Sequence, residues 1–446
     1  MNYRLARTVL ACVVTLGLAA PSAHATTGYF LNGYGGKARG IGGAGVAFPQ
    51  DSMAPAINPG GLSFVGRRLD FGVTAFSPKR DGALDASFLG GASSSENSGS
   101  TLFAIPGGGV SQPVTNRITL GLAMVANGGL STRYNRNIYD QALAPAAGVP
   151  VGAIPNTGTL GVNLAQALAL PTIAFKLTQN HSLGASLIIG FQTFRAYGLG
   201  DFAAFGFSSD PAHLTNNGND KVWGFGSRVG YTGKLTSWLT VGATYATKVN
   251  MSKFSDYSGL FAEQGDFDIP SNYAVGLAVN PTPRLTFALD AQKIKYTDVA
   301  SISNAGPTAA EFTAPLLGQP TPRPLGTENG YGFGWDDIWV FRFGVRYAYN
   351  SQWTLRGGFA YNQEVYDDDQ ALFNILAPAV IRKHLTAGFS YSPDAHSEWT
   401  VSYQHAFKET QDNFYDTGNI LGPGTGYSAD NSMHQNALGI EYAYRF

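Results

Sequence analysis

"HQNALGIEYAYRF" (434–446) alternates between two kinds of residue through its second half. Large apolar or aromatic side chains occupy every second position, and small or polar residues lie between them. A period of two places the two kinds on opposite faces of a β-strand. An apolar face towards lipid, with an aromatic residue at the end of the run, is typical of strands in bacterial outer-membrane barrels.

The same alternation recurs along the chain, for example in "DIWVFRFGVRYAYN" (337–350) and "WTLRGGFAYNQ" (353–363). The connections between such segments are short and long in turn, as in barrels with short periplasmic turns and long outer loops. We therefore predict an all-β fold, a 14-stranded antiparallel transmembrane β-barrel. The predicted strands are 67–78, 101–112, 117–128, 171–179, 182–195, 221–233, 238–250, 268–280, 284–296, 337–350, 352–363, 383–392, 398–409 and 434–446.

The composition agrees with a barrel. Glycine contributes 56 of the 446 residues, aromatic residues 13% and charged residues only 13%, which is about half the usual charged share of a globular domain. After the N-terminal leader, no segment offers the roughly 18 continuous apolar residues that a membrane helix needs. The charge balance, 29 Lys and Arg against 30 Asp and Glu, gives no basic excess for a nucleic-acid partner.

The first 25 residues read as a signal peptide. Arg4 and Arg7 form a basic start, an apolar run follows, and Ala23-His24-Ala25 fits the small-x-small cleavage rule. The only cysteine, Cys12, lies in this leader. We therefore expect an exported mature chain from about residue 26, without disulfides or thiol chemistry.

A glycine-rich arm, "GYGGKARGIGGAGVA" (33–47), precedes the first predicted strand and ends at a strong turn signal, Asn58-Pro59-Gly60. The stretch from 26 to 80 resembles the mature start of the FadL/TodX family of outer-membrane transporters for long-chain fatty acids and other hydrophobic compounds. Family-like pieces also occur at 128–135, 171–187 and 337–362. The resemblance implies fourteen strands and an N-terminal hatch, residues 26–66, that plugs the lumen of the barrel formed by 67–446.

The resemblance also implies a function: passive uptake of hydrophobic compounds, long-chain fatty acids above all, with sideways release into the membrane. Uptake of monoaromatic or other hydrocarbons is the alternative. The family has a kinked third strand that opens the wall, and the glycines after Met124 predict that lateral opening here, because glycine inside a strand marks a bulge or bend. The residues assigned to the opening are Asn127, Gly128 and Gly129.

Two outer segments carry apolar residues where a polar porin would carry polar ones. "LGVNLAQALALP" (160–171) is interpreted as a short helix that Pro171 ends, and "QALFNILAPAVI" (370–381) as an apolar loop. Exposed apolar surface of this kind marks an interaction site, so both segments are candidates for ligand capture, although packing of loop on loop gives the same pattern. The capture residues are Leu164, Leu168, Phe373 and Leu376.

Basic residues on the predicted lumen face could hold a carboxylate head group by charge-assisted hydrogen bonds, or could bind the hatch. The head-group candidates are Arg342 and Arg346 on this face, and Arg195 at the outer end of the fifth predicted strand. The rival classes are an outer-membrane lipase and a general porin. No G-x-S-x-G motif is present, and no pair of histidines has helical metal spacing. We expect no catalysis, metal or cofactor, and a monomer surrounded by outer-membrane lipid and lipopolysaccharide.

Overall fold

A computed structural model describes residues 27–87 and 90–446. The predicted signal peptide, residues 1–25, lies outside the described residues. Within them, fourteen long strands form one antiparallel sheet. The strands are β1 Arg68–Asp85, β2 Phe103–Pro113, β3 Ile118–Ser131, β4 Gly161–Lys176, β5 His181–Tyr197, β6 Asp220–Lys234, β7 Leu239–Ala246, β8 Asn272–Thr282, β9 Leu285–Ile294, β10 Ile338–Ala348, β11 Trp353–Asn362, β12 Lys383–Tyr391, β13 Ser397–Asp416 and β14 Gly426–Arg445.

The sheet closes into a barrel. Each long strand pairs with the next along the chain, and β14 pairs with β1 from Arg445 opposite Arg68 to Ser428 opposite Asp85. Closure removes the open edges that lipid could not satisfy with hydrogen bonds. Two short strands, Ser93–Asn97 and Asn250–Met251, add to β1 and β6 outside this cycle.

The predicted alternation is present in the burial of the side chains. On β8, Val275 is 57% exposed and Leu277 45%, whereas the adjacent Ala274 and Ala278 are 4% and 1% exposed. Large apolar side chains therefore cover the outside, where they meet lipid, and small ones line the inside, where the N-terminal segment fills the space. The prediction of an outer-membrane β-barrel is confirmed.

One predicted element is wrong. The segment 160–171 is not a helix in an outer loop: Gly161–Lys176 is a single strand, and Pro171 lies within it, opposite Leu122. Its apolar residues also alternate with period two, but in the upper half they point inward, since Leu164 and Leu168 are 1% and 5% exposed. In the lower half, Ile173 and Phe175 point outward. The i, i+4 spacing of the two leucines indicated a helix, but residues four apart also lie on the same face of a strand.

Short helices occupy the N-terminal segment and the connections at the outer mouth. They are α1 Gly36–Arg39, α2 Ile138–Ala146, α3 Gly200–Ala204, α4 Ala300–Ser303, α5 Ala309–Leu316, α6 Ala371–Asn374 and α7 Gly418–Leu421, with an irregular turn at Ala262–Gly265 and 3₁₀ turns at Ala54–Ala56, Pro59–Phe64, Pro211–His213, Ser255–Tyr257, Tyr296–Asp298 and Asp368–Gln370. None of the helices in the described residues has the length and apolar character needed to cross a membrane.

Candidate transport pathway

The N-terminal segment, residues 27–66, lies inside the barrel and is held by its backbone. The Gly36 amide donates to a Glu441 carboxylate oxygen at 2.7 Å, and the Gly45 and Val46 amides donate to Asp290 at 2.7 and 3.0 Å. Glycine is required where the segment touches the wall: a Cβ on Gly42 would lie 2.7 Å from the Phe359 carbonyl oxygen, and its φ is +72°. We call residues 27–66 the hatch segment.

The turn at Asn58, Pro59 and Gly60 fixes the end of the hatch segment to the wall. The Asn58 amide nitrogen donates to the carbonyls of Val46 and Tyr231 at 2.7 and 2.8 Å, and its side-chain oxygen accepts from the Gly60 amide at 3.0 Å. Pro59 begins the 3₁₀ turn that Asn58 caps. One buried side chain thus joins two parts of the hatch segment to β6.

The third strand separates from the second strand near its upper end. β2 and β3 pair up to Gly107 opposite Val125, whereas β2 continues to Phe103 paired with β1. Beyond Val125, β3 stays paired with β4, with a bulge that leaves Asn127 without an opposite residue. The wall is therefore irregular between β2 and β3, as expected for strand glycines that end regular pairing.

The hatch segment bonds to the edge of β3 that β2 leaves. The Leu31 amide donates to the Asn127 carbonyl at 3.2 Å, and the Gly129 amide donates to the Tyr29 carbonyl at 3.2 Å. The packing at Gly128 leaves no room for a side chain, since a Cβ there would lie 1.6 Å from the Tyr29 oxygen. Residues around this point, including Ile105, Pro106 and Ala126, line a cavity of about 30 Å³, which is the space of about one water. The hatch segment thus occupies the space beside β3 where β2 no longer pairs with it.

Aromatic side chains from the start of the hatch segment and from the outer connections pack together in the lumen. The Tyr29 ring stacks on Phe30 with 5.1 Å between ring centroids, and lies 5.6 and 5.9 Å from the rings of Tyr296 and Trp335. The Tyr296 hydroxyl donates to the Thr27 carbonyl at 2.6 Å. The sequence analysis did not identify this cluster; the only signal was the aromatic content, because its members lie far apart in the chain.

The outer loops enclose a small apolar cavity of about 30 Å³. Two of the predicted capture residues, Phe373 and Leu376, line it together with Phe202 and Phe261. The other two capture candidates, now assigned to β4, face the lumen, and all four belong to one continuous buried apolar cluster. The described structure thus connects the loop cavity and the upper lumen through apolar side chains.

A carboxyl pair lies beside this cavity. Asp201 precedes Phe202 in α3 and is 1% exposed. Burial, together with the neighbouring carboxylate of Asp140, raises the pKa of Asp201 to about 7. Among the described residues, no group of three or more His, Cys, Asp or Glu side chains could hold a metal ion.

The three head-group candidates have different environments. Arg342 is buried and donates to Asn32 of the hatch segment at 3.1 Å and to Gln292 at 2.8 Å. Arg346 lines a cavity at the end of the barrel where the short turns connect the strands. Arg195, the candidate at the outer end of the fifth strand, has an exposed side chain on the outside of β5, near the Tyr197 ring.

Comparison with known proteins adds a family and a fold. The family model described as "Outer membrane protein transport protein (OMPP1/FadL/TodX)" matches residues 18–446. The long-chain fatty acid transport proteins of Salmonella typhi and Escherichia coli (strain K12) are each 24% identical over 324 residues, which cover 66% of this chain and 68% of theirs.

Solved structures with the same fold include the Pseudomonas putida toluene transporter TodX, with a TM-score of 0.68 at 19% identity over 93% of this chain and 99% of that one. A Pseudomonas aeruginosa FadL homologue has a TM-score of 0.65 at 16% identity over 94% and 100% of the two chains. The Ralstonia pickettii toluene transporter TbuX has a TM-score of 0.61 at 20% identity over 93% and 99%.

Proposed function

Because the chain belongs to the outer membrane protein transport protein family (OMPP1/FadL/TodX), we propose that it takes up hydrophobic compounds by passive diffusion and releases them sideways between β2 and β3. The observation that carries the lateral route is the parting of β3 from β2 after Val125, with the bulge at Asn127. An opening towards lipid lets an apolar ligand leave without entering water, which the hydrophobic effect favours.

The loop cavity and the upper lumen support the earlier steps. An apolar ligand would be captured beside Phe373 and Leu376 and would then bind at the aromatic cluster. We propose that the hatch segment plugs the lumen. The family description supports a transporter rather than an enzyme. A general porin would differ in having an open lumen, so removal of the hatch segment tests that alternative. The outer apolar face would contact membrane lipid and lipopolysaccharide around a monomer.

Two substrate classes remain as proposals. Long-chain fatty acids are the first, since two relatives carry that substrate in their names. Neutral hydrocarbons such as monoaromatics are the second, and one observation favours them: the residues that line the loop cavity are all uncharged, so no cation there would pair with a carboxylate. Comparing the binding of a fatty acid with that of its methyl ester distinguishes the two substrate classes, because only a site that binds the carboxylate prefers the acid.

Deletion of Asn127 tests the lateral route. The deletion removes the extra residue of the bulge, so β3 can pair in register with β4 and remain beside β2. We expect uptake of a labelled fatty acid or hydrocarbon to fall at least tenfold while heat-modifiable gel mobility, the mark of a folded barrel, persists. The matched control is Asn127→Ala, which keeps the bulge. Full uptake by the folded deletion variant would eliminate the lateral route.

Replacement of Phe373 and Leu376 together by Ser tests capture. Each buried apolar side chain is worth roughly 1.5–3 kcal/mol of transfer free energy, so the affinity for a fluorescent fatty acid should fall more than tenfold. The parallel variant L164S/L168S tests the lumen wall below the loops. Unchanged affinity in the loop variant would mean that the loops only pack on each other.

A further inference from the structure

A second cavity, lined by charged residues, lies at the mouth with the short turns. It has a volume of about 230 Å³ and shares no lining residue with the cavity beside β3. Short turns face the periplasm in barrels of this class. The hatch segment supplies one side of the cavity and the ends of β10, β11, β13 and β14 supply the other. Its lining residues are Lys37, Phe48, Pro49, Gln50, Arg346, Thr354, Arg356, Glu398 and Arg445.

The charges in this cavity do not balance. Four of its lining residues are cationic and one, Glu398, is anionic. Glu398 forms ion pairs with Lys37 and with Arg445, one at each carboxylate oxygen. The nearby carboxylate of Asp70 is bound by Arg68, whose Nε donates to it at 2.8 Å. The two remaining arginines, Arg346 and Arg356, are therefore without a carboxylate of their own in the lining.

These two arginines lie directly opposite each other. Arg346 on β10 pairs in register with Arg356 on β11, and like charges in directly opposite positions destabilise a sheet. Arg356 is 9% exposed and donates to the Ser390 hydroxyl at 2.7 Å and weakly to Gln50 at 3.4 Å. In the described part of the chain, the Arg346 side chain forms neither an ion pair nor a hydrogen bond. An anion between the two guanidinium groups would relieve this repulsion.

We propose that the periplasmic cavity binds a small anion of carboxylate or phosphate chemistry between Arg346 and Arg356. Guanidinium groups match the paired oxygens of such anions. A volume of about 230 Å³ accommodates a phosphate ion or a carboxylate head group. Because Lys37 belongs to the hatch segment and the arginines to the wall, the bound anion joins the two parts and stabilises the closed hatch. The proposal is independent of the substrate and of the lateral route.

The test is a calorimetric titration of the detergent-solubilised full chain with inorganic phosphate, and separately with octanoate, against chloride at equal ionic strength. We expect saturable binding that weakens at least tenfold in Arg346→Gln and in R346Q/R356Q. Glu398→Gln should tighten binding, because it removes the competing carboxylate, and general damage to the fold would not. The matched control is Arg117→Gln, which removes an exposed charge from another short turn and should leave affinity unchanged.

The two titrants distinguish the sources of the anion. Competition of octanoate with phosphate would assign the cavity to either head group, and binding of phosphate alone would assign it to phosphate. Arg346→Lys, which keeps the charge without the planar fork, should bind with intermediate affinity, so the proposal does not depend on one variant folding. Absence of saturable binding, or affinity for both titrants that is insensitive to Arg346→Gln, would overturn it.

Discussion

Gly128→Ala should detach the start of the hatch segment from β3. A Cβ at this position would lie 1.6 Å from the Tyr29 carbonyl oxygen, whereas ordinary contact begins at 3.4 Å. The two backbones must therefore separate by about 1.8 Å. That displacement breaks the hydrogen bonds from the Leu31 amide to Asn127 and from the Gly129 amide to Tyr29.

The size of the effect follows from those two bonds. Each contributes about 0.5–1.5 kcal/mol net, so the local free energy of opening should fall by about 1–3 kcal/mol. Since 1.4 kcal/mol corresponds to a factor of ten in an equilibrium constant, amide exchange at Leu31 and Gly129 should accelerate roughly 5- to 150-fold. The rest of the barrel keeps its hydrogen bonds, and its exchange should not change.

Hydrogen–deuterium exchange with mass spectrometry measures this directly in peptides that cover 29–34 and 127–132. The matched control is Gly357→Ala on β11, where the nearest atom to a new Cβ lies 3.9 Å away, and it should leave both peptides unchanged. Wild-type exchange rates in a folded G128A protein would refute the reasoning, because the hatch segment could then not be held against β3 as described.

Three further changes have definite expected outcomes. Deletion of residues 27–60 should raise the single-channel conductance of a folded barrel in planar bilayers, and conductance as low as in the intact protein would mean that the segment is not a plug. Asn58→Ala should lower the free energy of unfolding by about 1–3 kcal/mol, since it leaves buried carbonyls without donors; denaturant unfolding checks this. The raised pKa of Asp201, about 7 against an ordinary 3.8, means that folding favours the neutral acid, so its stabilising contribution is fully present below pH 3.8 and is lost as the pH rises through about 7. Protection factors of the outer-loop amides, which correct for the intrinsic pH dependence of amide exchange, should therefore be higher at pH 5 than at pH 8, and Asp201→Asn should remove most of that difference.

The barrel could be predicted from sequence because period-two alternation is a local property. The alternation within each strand shows which face meets lipid, so each of the fourteen strands could be predicted without reference to its neighbours. The bulge beside Gly128 could be predicted for a similar reason, since an interruption of apolar alternation by two glycines is visible within one strand.

The position of Arg195 also follows from this rule. On β5 the odd-numbered side chains Leu183 and Leu187 are exposed and the even-numbered Ile188 and Phe194 are buried. Continuing that parity to residue 195 places the arginine outside. The error in β4 has a simple origin: Leu164 and Leu168, four residues apart, fit a helix face as well as the inward face of a strand, and in the mostly apolar upper lumen that inward face carries few polar residues that would distinguish the two.

The aromatic cluster and the paired arginines could not have been predicted from one sequence. Tyr29, Tyr296 and Trp335 meet only because the hatch segment folds up inside a wall formed by the rest of the chain. The opposition of Arg346 and Arg356 depends on the register set by the turn between β10 and β11. Contacts of this kind are set by closure and register, which no local pattern encodes.

The length of the strands has a consequence for where a ligand first leaves water. β13 and β14 each have 20 residues, whereas a tilted strand needs only about 9–11 to cross the hydrocarbon core. About half of each strand therefore extends as a collar above the bilayer, roughly 20 Å tall for a strand tilted near 45°. The inward-facing leucines of β4 give that collar a dry interior. On the proposed route, a hydrophobic molecule would therefore lose its water well above the lipid head groups and would descend to bilayer depth without returning to water.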